Sequence, residues 1–416
     1  MFNVAIIGAG VSGLTAARIL KDRYNVTVFE RAAKPGGLIR CERIGGSLFH
    51  TCGGHVFNTK RQNVDEWFWG HFNQQTDFVK ADRNSVVCMS QTFIPYPIEN
   101  HVYMLDADTQ QRFITDCLAI VRNPQPEPDN FEDFLRGRFG DTLYNLYFKP
   151  YNQKVWRCDL RNVPLAWLEG KLPMPTVQEM LFNNLNRVEE RQFVHSSFYY
   201  EKQGGSQFIA DTLAQGLSIC YNADISSLTY ADGKWQLAGK LFDKVIYCGN
   251  LKQMVPALVG VDVQTYKAEV EALAYHGTTT VFCEIDANPY SWIYLPSDQY
   301  ACHRIICTGN FSPSNNAPTL PAGRITATVE FTDAVSQADM LDSLARMPYH
   351  PMYISHVHNP YTYPIQTHST RQMIRRLKLD LARSGFYFTG RFADWEYYNM
   401  DAAMAAAMAL CTEFNL

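Results

Sequence analysis

Short apolar runs and longer stretches of helical period take turns along this chain. Val4-Ala5-Ile6-Ile7 and Val26-Thr27-Val28-Phe29 are continuous apolar segments of strand length, and Lys244-Val245-Ile246-Tyr247-Cys248 and Phe386-Tyr387-Phe388 read the same way. From Gln110 to Arg191 the period is helical, in Thr109-Gln110-Gln111-Arg112-Phe113-Ile114, in Phe131-Glu132-Asp133-Phe134-Leu135 and in Leu143-Tyr144-Asn145-Leu146-Tyr147. From about 275 to 365 apolar and polar residues alternate, as in Thr278-Thr279-Thr280-Val281-Phe282-Cys283-Glu284-Ile285 and Arg324-Ile325-Thr326-Ala327-Thr328-Val329-Glu330, the period of half-buried antiparallel strands. A helix is expected over Ser206 to Gln215. The Ala-rich tail from Asp401 to Leu410 has the highest helix propensity in the chain, with Asn399 or Asp401 placed to cap it.

Between the first two apolar runs lies Gly8-Ala9-Gly10-Val11-Ser12-Gly13, and the second run ends in Glu30. The first glycine permits a tight strand-to-helix turn, the second lets the backbone approach a pyrophosphate, and the third lets helix and strand pack closely. The helix start offers N–H groups and a positive dipole end to phosphates. Glu30 falls about 20 residues after the glycines, where a carboxylate accepts hydrogen bonds from a ribose, so an adenine dinucleotide without a 2′-phosphate is expected. After Glu30 comes Arg31-Ala32-Ala33-Lys34-Pro35-Gly36-Gly37-Leu38, a second glycine pair suited to close passage along the pyrophosphate and ribityl chain of a flavin. This run resembles the glutathione-reductase-like flavoproteins, which also return a C-terminal strand and glycine turn to the flavin, as Phe386 to Gly390-Arg391 does here. FAD is therefore favoured over NAD.

The expected architecture is α/β: a Rossmann-like FAD-binding domain with an inserted helical domain and an antiparallel β-sheet substrate domain. The FAD-binding domain takes residues 1–90, 198–250 and 366–416, the last with the C-terminal helix. A mainly helical substrate-side domain takes 91–197 and the antiparallel-sheet substrate domain 251–365.

At 416 residues and 46% hydrophobic content the chain can bury a sizeable core, in two or three domains or in one large α/β body with insertions. With 37 basic and 41 acidic residues the net charge is −4, and no long basic block is present, so a nucleic-acid surface is not indicated. The eleven cysteines show no CxxC pairs and no compact His/Cys cluster, which argues against a zinc site and a disulfide framework and fits a reducing cytoplasm. The apolar start runs straight into the glycine loop without a basic leader, and no apolar run approaches the ~20 residues of a spanning helix. No membrane span is expected; a homo-oligomer is left open.

Five dispersed segments together resemble the UDP-galactopyranose mutase family, closest to its eukaryotic type. They are Gly53-Gly54-His55-Val56-Phe57, Pro95-Tyr96-Pro97-Ile98-Glu99-Asn100, Lys149-Pro150-Tyr151-Asn152-Gln153-Lys154-Val155-Trp156, Trp292-Ile293-Tyr294-Leu295-Pro296 with His303-Arg304 downstream, and Gly390-Arg391-Phe392-Ala393-Asp394-Trp395-Glu396-Tyr397-Tyr398-Asn399-Met400-Asp401. The resemblance implies an isomerase that interconverts pyranose and furanose forms of a nucleotide sugar, in which N5 of reduced FAD attacks the anomeric carbon, UDP leaves and returns, and no net redox occurs. NAD(P)H is the candidate reductant. Such a site needs cations on a diphosphate, tyrosine contacts to it, and a dry pocket.

By that resemblance Arg304 is the diphosphate cation, its fork suited to phosphate oxygens. The family's second arginine falls where this chain has Lys171, a point charge without the bidentate geometry, so substrate affinity or identity is at issue. Tyr363 and Tyr397 match diphosphate-binding tyrosines, Asn183 a uracil-reading asparagine, and Tyr96, Trp156, Trp292 and Tyr294 nucleotide or sugar contacts. His55 matches the histidine beside the flavin, and Asn399 stands where bacterial members carry an acid. Gly8, Gly10, Ser12, Gly13, Glu30, Arg31, Gly37, Leu38, Gly54, His55, Gly390, Arg391 and Met400 make up the cofactor set, and the dipole of the helix after them would favour an anionic reduced flavin. Segment 170–178 is the natural lid. Two other readings stand beside this one: an amine-oxidase-like or protoporphyrinogen-oxidase-like oxidoreductase, and a non-catalytic flavin-bearing sensor or scaffold.

Overall fold

The computed structural model describes residues 1–89, 92–123, 127–165, 175–188, 197–367 and 369–414. Two bodies share the chain. The first is built on a five-stranded parallel sheet in the order Phe386–Phe388, Lys244–Tyr247, Asn3–Ile7, Asn25–Phe29, Ile219–Cys220. Its strands are apolar along their centres, with Asn3, Asn25 and Lys244 at their starts, because both faces are covered. Val4 and Ile6 point to a core with Leu14, Leu20, Ile246 and Met404, while Ala5 and Ile7 point to another with Trp235, Val245, Leu377 and Trp395. Helix Val11–Leu20 leaves the first strand through the glycine turn, and the C-terminal helix Met400–Phe414 packs along it. A small sheet of Leu228–Ala231, Lys234–Leu237, Lys240–Phe242 and Leu258–Val259 completes this body.

The second body centres on a seven-stranded sheet, ordered Met352–Pro364, Tyr275–Asp286, Arg324–Thr332, Arg304–Ile306, Trp292–Tyr294, Ser85–Met89, Thr92–Pro95. All its pairings are antiparallel except that of Ser85–Met89 with Trp292–Tyr294. The strand Ser85–Met89, counted on sequence with the first nucleotide-binding segment, thus hydrogen-bonds into the seven-stranded sheet. The alternating strands are not half-exposed. Arg324–Thr332 is buried along almost its whole length, and Thr326, Thr328 and Glu330 are buried with it. The polar face of the alternation turns toward the interior of the molecule, where a polar site would lie, rather than toward solvent.

Helices Ala107–Arg122 and Phe131–Leu143 flank this sheet, and a π turn, Tyr144–Phe148, runs on into helix Lys149–Trp156. Asp106 and Asn130 cap the first two, each accepting from the N–H three residues on, and their apolar faces bury Phe113, Cys117, Phe131, Leu135, Phe139 and Leu143. Helix Val177–Asn186 starts with a capping box of Thr176 and Glu179. Among the described residues no helix is long and apolar enough to cross a membrane.

Candidate functional site

The glycine turn has the form of a nucleotide cradle. A Cβ on Gly13 would lie 1.9 Å from the Gly8 carbonyl oxygen, so only glycine lets the helix start this close to the strand. Gly36 pairs with Gly10, its N–H donating to the Ala9 carbonyl at 2.8 Å, and a Cβ on Gly37 would come within 3.2 Å of the Gly10 Cα. No side chain caps the helix at Gly10. Glu30 is buried and accepts from the Ala9 N–H at 2.7 Å and the Ala32 N–H at 2.9 Å, which holds its carboxylate at the mouth of the turn. Gly390, at φ +121°, brings the C-terminal strand end against Ser12, and Asp394 fixes that turn by accepting from the Gly390 N–H and the Thr389 hydroxyl, both at 3.0 Å. Met400 is buried in the same body, Leu38 lies in a single 3-10 turn, and Arg31 is exposed. Glycines packed backbone to backbone, an uncapped helix start and an acid after the second strand fit an adenine dinucleotide.

The Gly53-Gly54-His55 segment joins the two bodies. A Cβ on Gly54 would meet Ile306 Cγ2 at 2.6 Å, and the Gly53 N–H donates to Glu330 Oε1 at 2.7 Å. His55 hydrogen-bonds the Leu38 backbone, its Nε2 has no partner, and burial followed by the Arg391 charge lowers its pKa to about 4, so it is neutral at pH 7.

Opposite this segment the sheet register lines up one row of side chains. Tyr294 pairs with Arg304, Arg304 with Glu330, and Glu330 with Thr280. Residues paired across strands share a face, so an alternation read separately in each strand becomes one polar band. Arg304 Nε donates to Glu330 Oε2, and its Nη2 reaches the Tyr363 hydroxyl at 3.4 Å. Burial opposes both charges, yet each holds the other: Glu330 is kept well below the ordinary carboxylate range by Arg304 and His303, and Arg304 well above its ordinary value by Glu330 and nearby tyrosines. Tyr363 stacks on Tyr397 with centroids 5.4 Å apart, and Trp156 meets Tyr363 edge-on at 6.3 Å. Arg391 lies over the Tyr397 ring and donates to the Tyr398 and Thr362 carbonyls, which makes it a clamp on the C-terminal segment.

A second cluster adjoins this one. Arg83 lies over the rings of Tyr96 and Trp292, at 5.5 and 5.1 Å, and donates to the Tyr294 hydroxyl at 2.7 Å. Tyr151 meets Tyr294 edge-on at 5.5 Å. Asn183 sits a little apart, donating to Asn100 Oδ1 at 3.1 Å, while Asn184 holds the Glu99 carbonyl at 2.8 Å. Glu99 is buried, which raises its pKa to about 7. Asn399 is exposed, and its carbonyl receives the Ala403 N–H at the start of the last helix; Asp401 instead accepts from Thr59 at 3.2 Å. Lys171 lies outside the described residues, as does the first half of the segment read as a lid.

Arg304, Tyr294, Tyr363, Tyr397 and Trp156 thus come together, with Tyr96 and Trp292 beside them. Sequence reasoning missed Glu330, Arg83 and Tyr151. Two signals were available: Tyr151 stands in the family-like segment from Lys149 to Trp156, and Glu330 is a lone acid in the run Thr326-Ala327-Thr328-Val329-Glu330 at a position in phase with the threonines.

A family model described as NAD(P)-binding Rossmann-like domain matches residues 6–71. The chain is 22% identical over 431 residues to a probable UDP-galactopyranose mutase from Klebsiella pneumoniae, covering 99% of this chain and 94% of that protein. It is 26% identical over 179 residues to a dTDP-fucopyranose mutase from Escherichia coli, covering 42% of this chain and 46% of that one. Among solved structures, that of a reduced UDP-galactopyranose mutase superposes with a TM-score of 0.88 at 20% identity, over 99% of this chain and 93% of the other. Over nearly its whole length, therefore, the chain resembles the UDP-galactopyranose mutases and has their fold.

Proposed function

We propose that this protein is a flavin-dependent mutase of nucleotide sugars that interconverts pyranose and furanose forms, taking UDP-galactopyranose or a close relative. The observation that carries the reading is the pair of half-buried Arg304 and buried Glu330, ringed by Tyr363, Tyr397, Tyr294 and Trp156 on the sheet face that meets the Gly53-Gly54-His55 segment. When bound, reduced FAD supplies a nucleophilic nitrogen at the anomeric carbon. The chain's own residues do the rest. Arg304, aimed by Glu330, holds the diphosphate as it leaves and returns, and the Tyr363 hydroxyl, whose pKa burial raises, stays protonated to donate to it. Neutral His55 adds no competing cation beside the cofactor. The Tyr96, Trp292 and Arg83 cluster is placed to bind the nucleotide, and the aromatic walls keep water from the reacting carbon. Lys171 and Asn399 leave the sugar open to deoxy or amino relatives. The reading includes a cytoplasmic location and reduction by NAD(P)H.

An amine oxidase has no need of a half-buried arginine among tyrosines. The test is to reduce the purified FAD-loaded protein with dithionite, add UDP-galactopyranose, dTDP-fucopyranose and other nucleotide hexoses, and resolve products by ion-exchange chromatography. Furanose product is expected. In a parallel aerobic assay of the oxidised protein with amines, turnover with peroxide release, together with no sugar product from the reduced protein, would favour the oxidase reading, and absence of turnover in both assays the sensor reading.

A further inference from the structure

Near the end of helix Lys149–Trp156 a cation sits among carbonyls. Lys154 Nζ donates to the carbonyl oxygens of Leu295 at 2.8 Å, Ser297 at 2.6 Å, Tyr300 at 2.7 Å and Cys302 at 3.2 Å. Its three N–H donors serve four acceptors, the longest of them shared. No carboxylate forms an ion pair with it among the described residues, and burial lowers its pKa to about 8. A ring of backbone carbonyls around a bare positive charge is how proteins replace the hydration shell of a small monovalent cation. Here the cation is tethered to the chain.

All four carbonyls come from the single loop that joins strand Trp292–Tyr294 to strand Arg304–Ile306. That loop is closed at its base by the Leu295 N–H donating to the His303 carbonyl at 2.9 Å. On the far side, the Lys154 carbonyl accepts from Thr332 Oγ1 at 2.7 Å, on the strand that carries Glu330. One lysine therefore ties the helix, the loop before Arg304 and the strand of its partner acid. A hydrophobic side chain would fill the space but donate to none of these oxygens, and among the described residues only the Ser297 carbonyl keeps another donor, the Tyr300 N–H at 3.2 Å.

We propose that Lys154 is a positioning residue: its ammonium occupies a cation cage that sets the 295–302 loop, and through it Arg304, and the cage emptied by truncation takes a small monovalent cation. The positioning half rests on the diphosphate reading of Arg304; the cage does not.

The experiment uses the full-length, FAD-loaded protein as wild type, Lys154→Ala and Lys154→Met, each assayed at constant ionic strength in ammonium, methylammonium, potassium or tetramethylammonium chloride. The readouts are melting temperature, UDP affinity by titration calorimetry, and kcat and KM with UDP-galactopyranose. Lys154→Ala is expected to bind UDP at least tenfold more weakly. Ammonium or potassium should restore most of that and raise its melting temperature, while tetramethylammonium, too large for the cage, should do neither. Lys154→Met, with the space filled, should be impaired without rescue. Wild-type behaviour of Lys154→Ala in tetramethylammonium would overturn the proposal, and so would an impaired Lys154→Ala indifferent to every cation. If Lys154→Ala does not fold in any salt, Lys154→Met decides: normal UDP affinity in that variant overturns the proposal. A wild type that neither binds UDP nor turns over sinks the mutase reading, and the melting response of Lys154→Ala to ammonium then supports or overturns the cage alone.

Discussion

At the scale of single residues the Arg304–Glu330 pair concentrates the argument. Arg304→Lys keeps the charge but loses the planar fork shared between Glu330 and the tyrosines. It should lower kcat/KM with UDP-galactopyranose by roughly 10- to 100-fold, and Arg304→Ala by more, with FAD content unchanged; stopped assays beside flavin absorbance check both. Arg304 and the tyrosines were legible because their own segments resemble a family. Glu330 and Arg83 were not, and Lys154, though inside a family-like segment, carried no role there, since each acquires its meaning from a partner more than a hundred residues away or from a neighbouring strand's register, which no local pattern encodes. Glu201 is a residue of another kind. It is fully buried with no partner for either carboxylate oxygen, and burial raises its pKa from 4.5 to about 8. The folded state thus holds a proton that the unfolded state releases near pH 4.5, so stability declines as pH rises from that value toward 8 and is level above it, by an amount on the order of 5 kcal/mol. Urea unfolding at pH 5 and pH 8 should show that loss in wild type and much less of it in Glu201→Gln; equal slopes would mean the carboxyl is ionised and solvated.

At the scale of elements, the glycine turn and the helix after it separate two uses of glycine. Gly13→Ala drives a Cβ to within 1.9 Å of a backbone oxygen, and neither strand nor helix can yield without unseating the cradle. This variant should be purified without FAD or not at all. Gly137, in helix Phe131–Leu143, is different: a Cβ there would have nothing within 4 Å, so Gly137→Ala should be neutral or stabilise by about 0.5–1 kcal/mol with full FAD content. Thermal melts and flavin absorbance of the two variants decide. The parallel strands were readable for the same reason the turn is: burial on both faces makes them continuous apolar runs. The alternating strands read correctly as strands, but their exposure did not follow. Alternation reports only that the two faces differ, and a polar face lining a buried site has the same period as one facing water.

At the scale of the whole molecule the path of the chain matters most. It leaves the parallel sheet after Asn25–Phe29, adds Ser85–Met89 and Thr92–Pro95 to the other sheet, passes through the helices, returns for Ile219–Cys220 and Lys244–Tyr247, crosses again for the strands from Tyr275 to Pro364, and ends on Phe386–Phe388 and the last helix. Neither body is complete until the chain has visited the other. The Gly53 N–H to Glu330 bond, the seating of Gly54 on Ile306 and the Asn359 amide donating to the Thr51 carbonyl at 2.7 Å bind them further. Two bodies so interleaved should unfold together, and a ligand that binds only the first should stabilise both. At a free FAD concentration 100 times its Kd the gain is about 2.7 kcal/mol, which for a chain of 416 residues is a rise of about 3 °C in Tm. Calorimetry of apo and FAD-loaded protein should therefore give one transition that moves as a whole. Two transitions, with only one responding to FAD, would show that the crossings do not couple the bodies, and the interface at Gly53-Gly54-His55 would then be a contact between independent units.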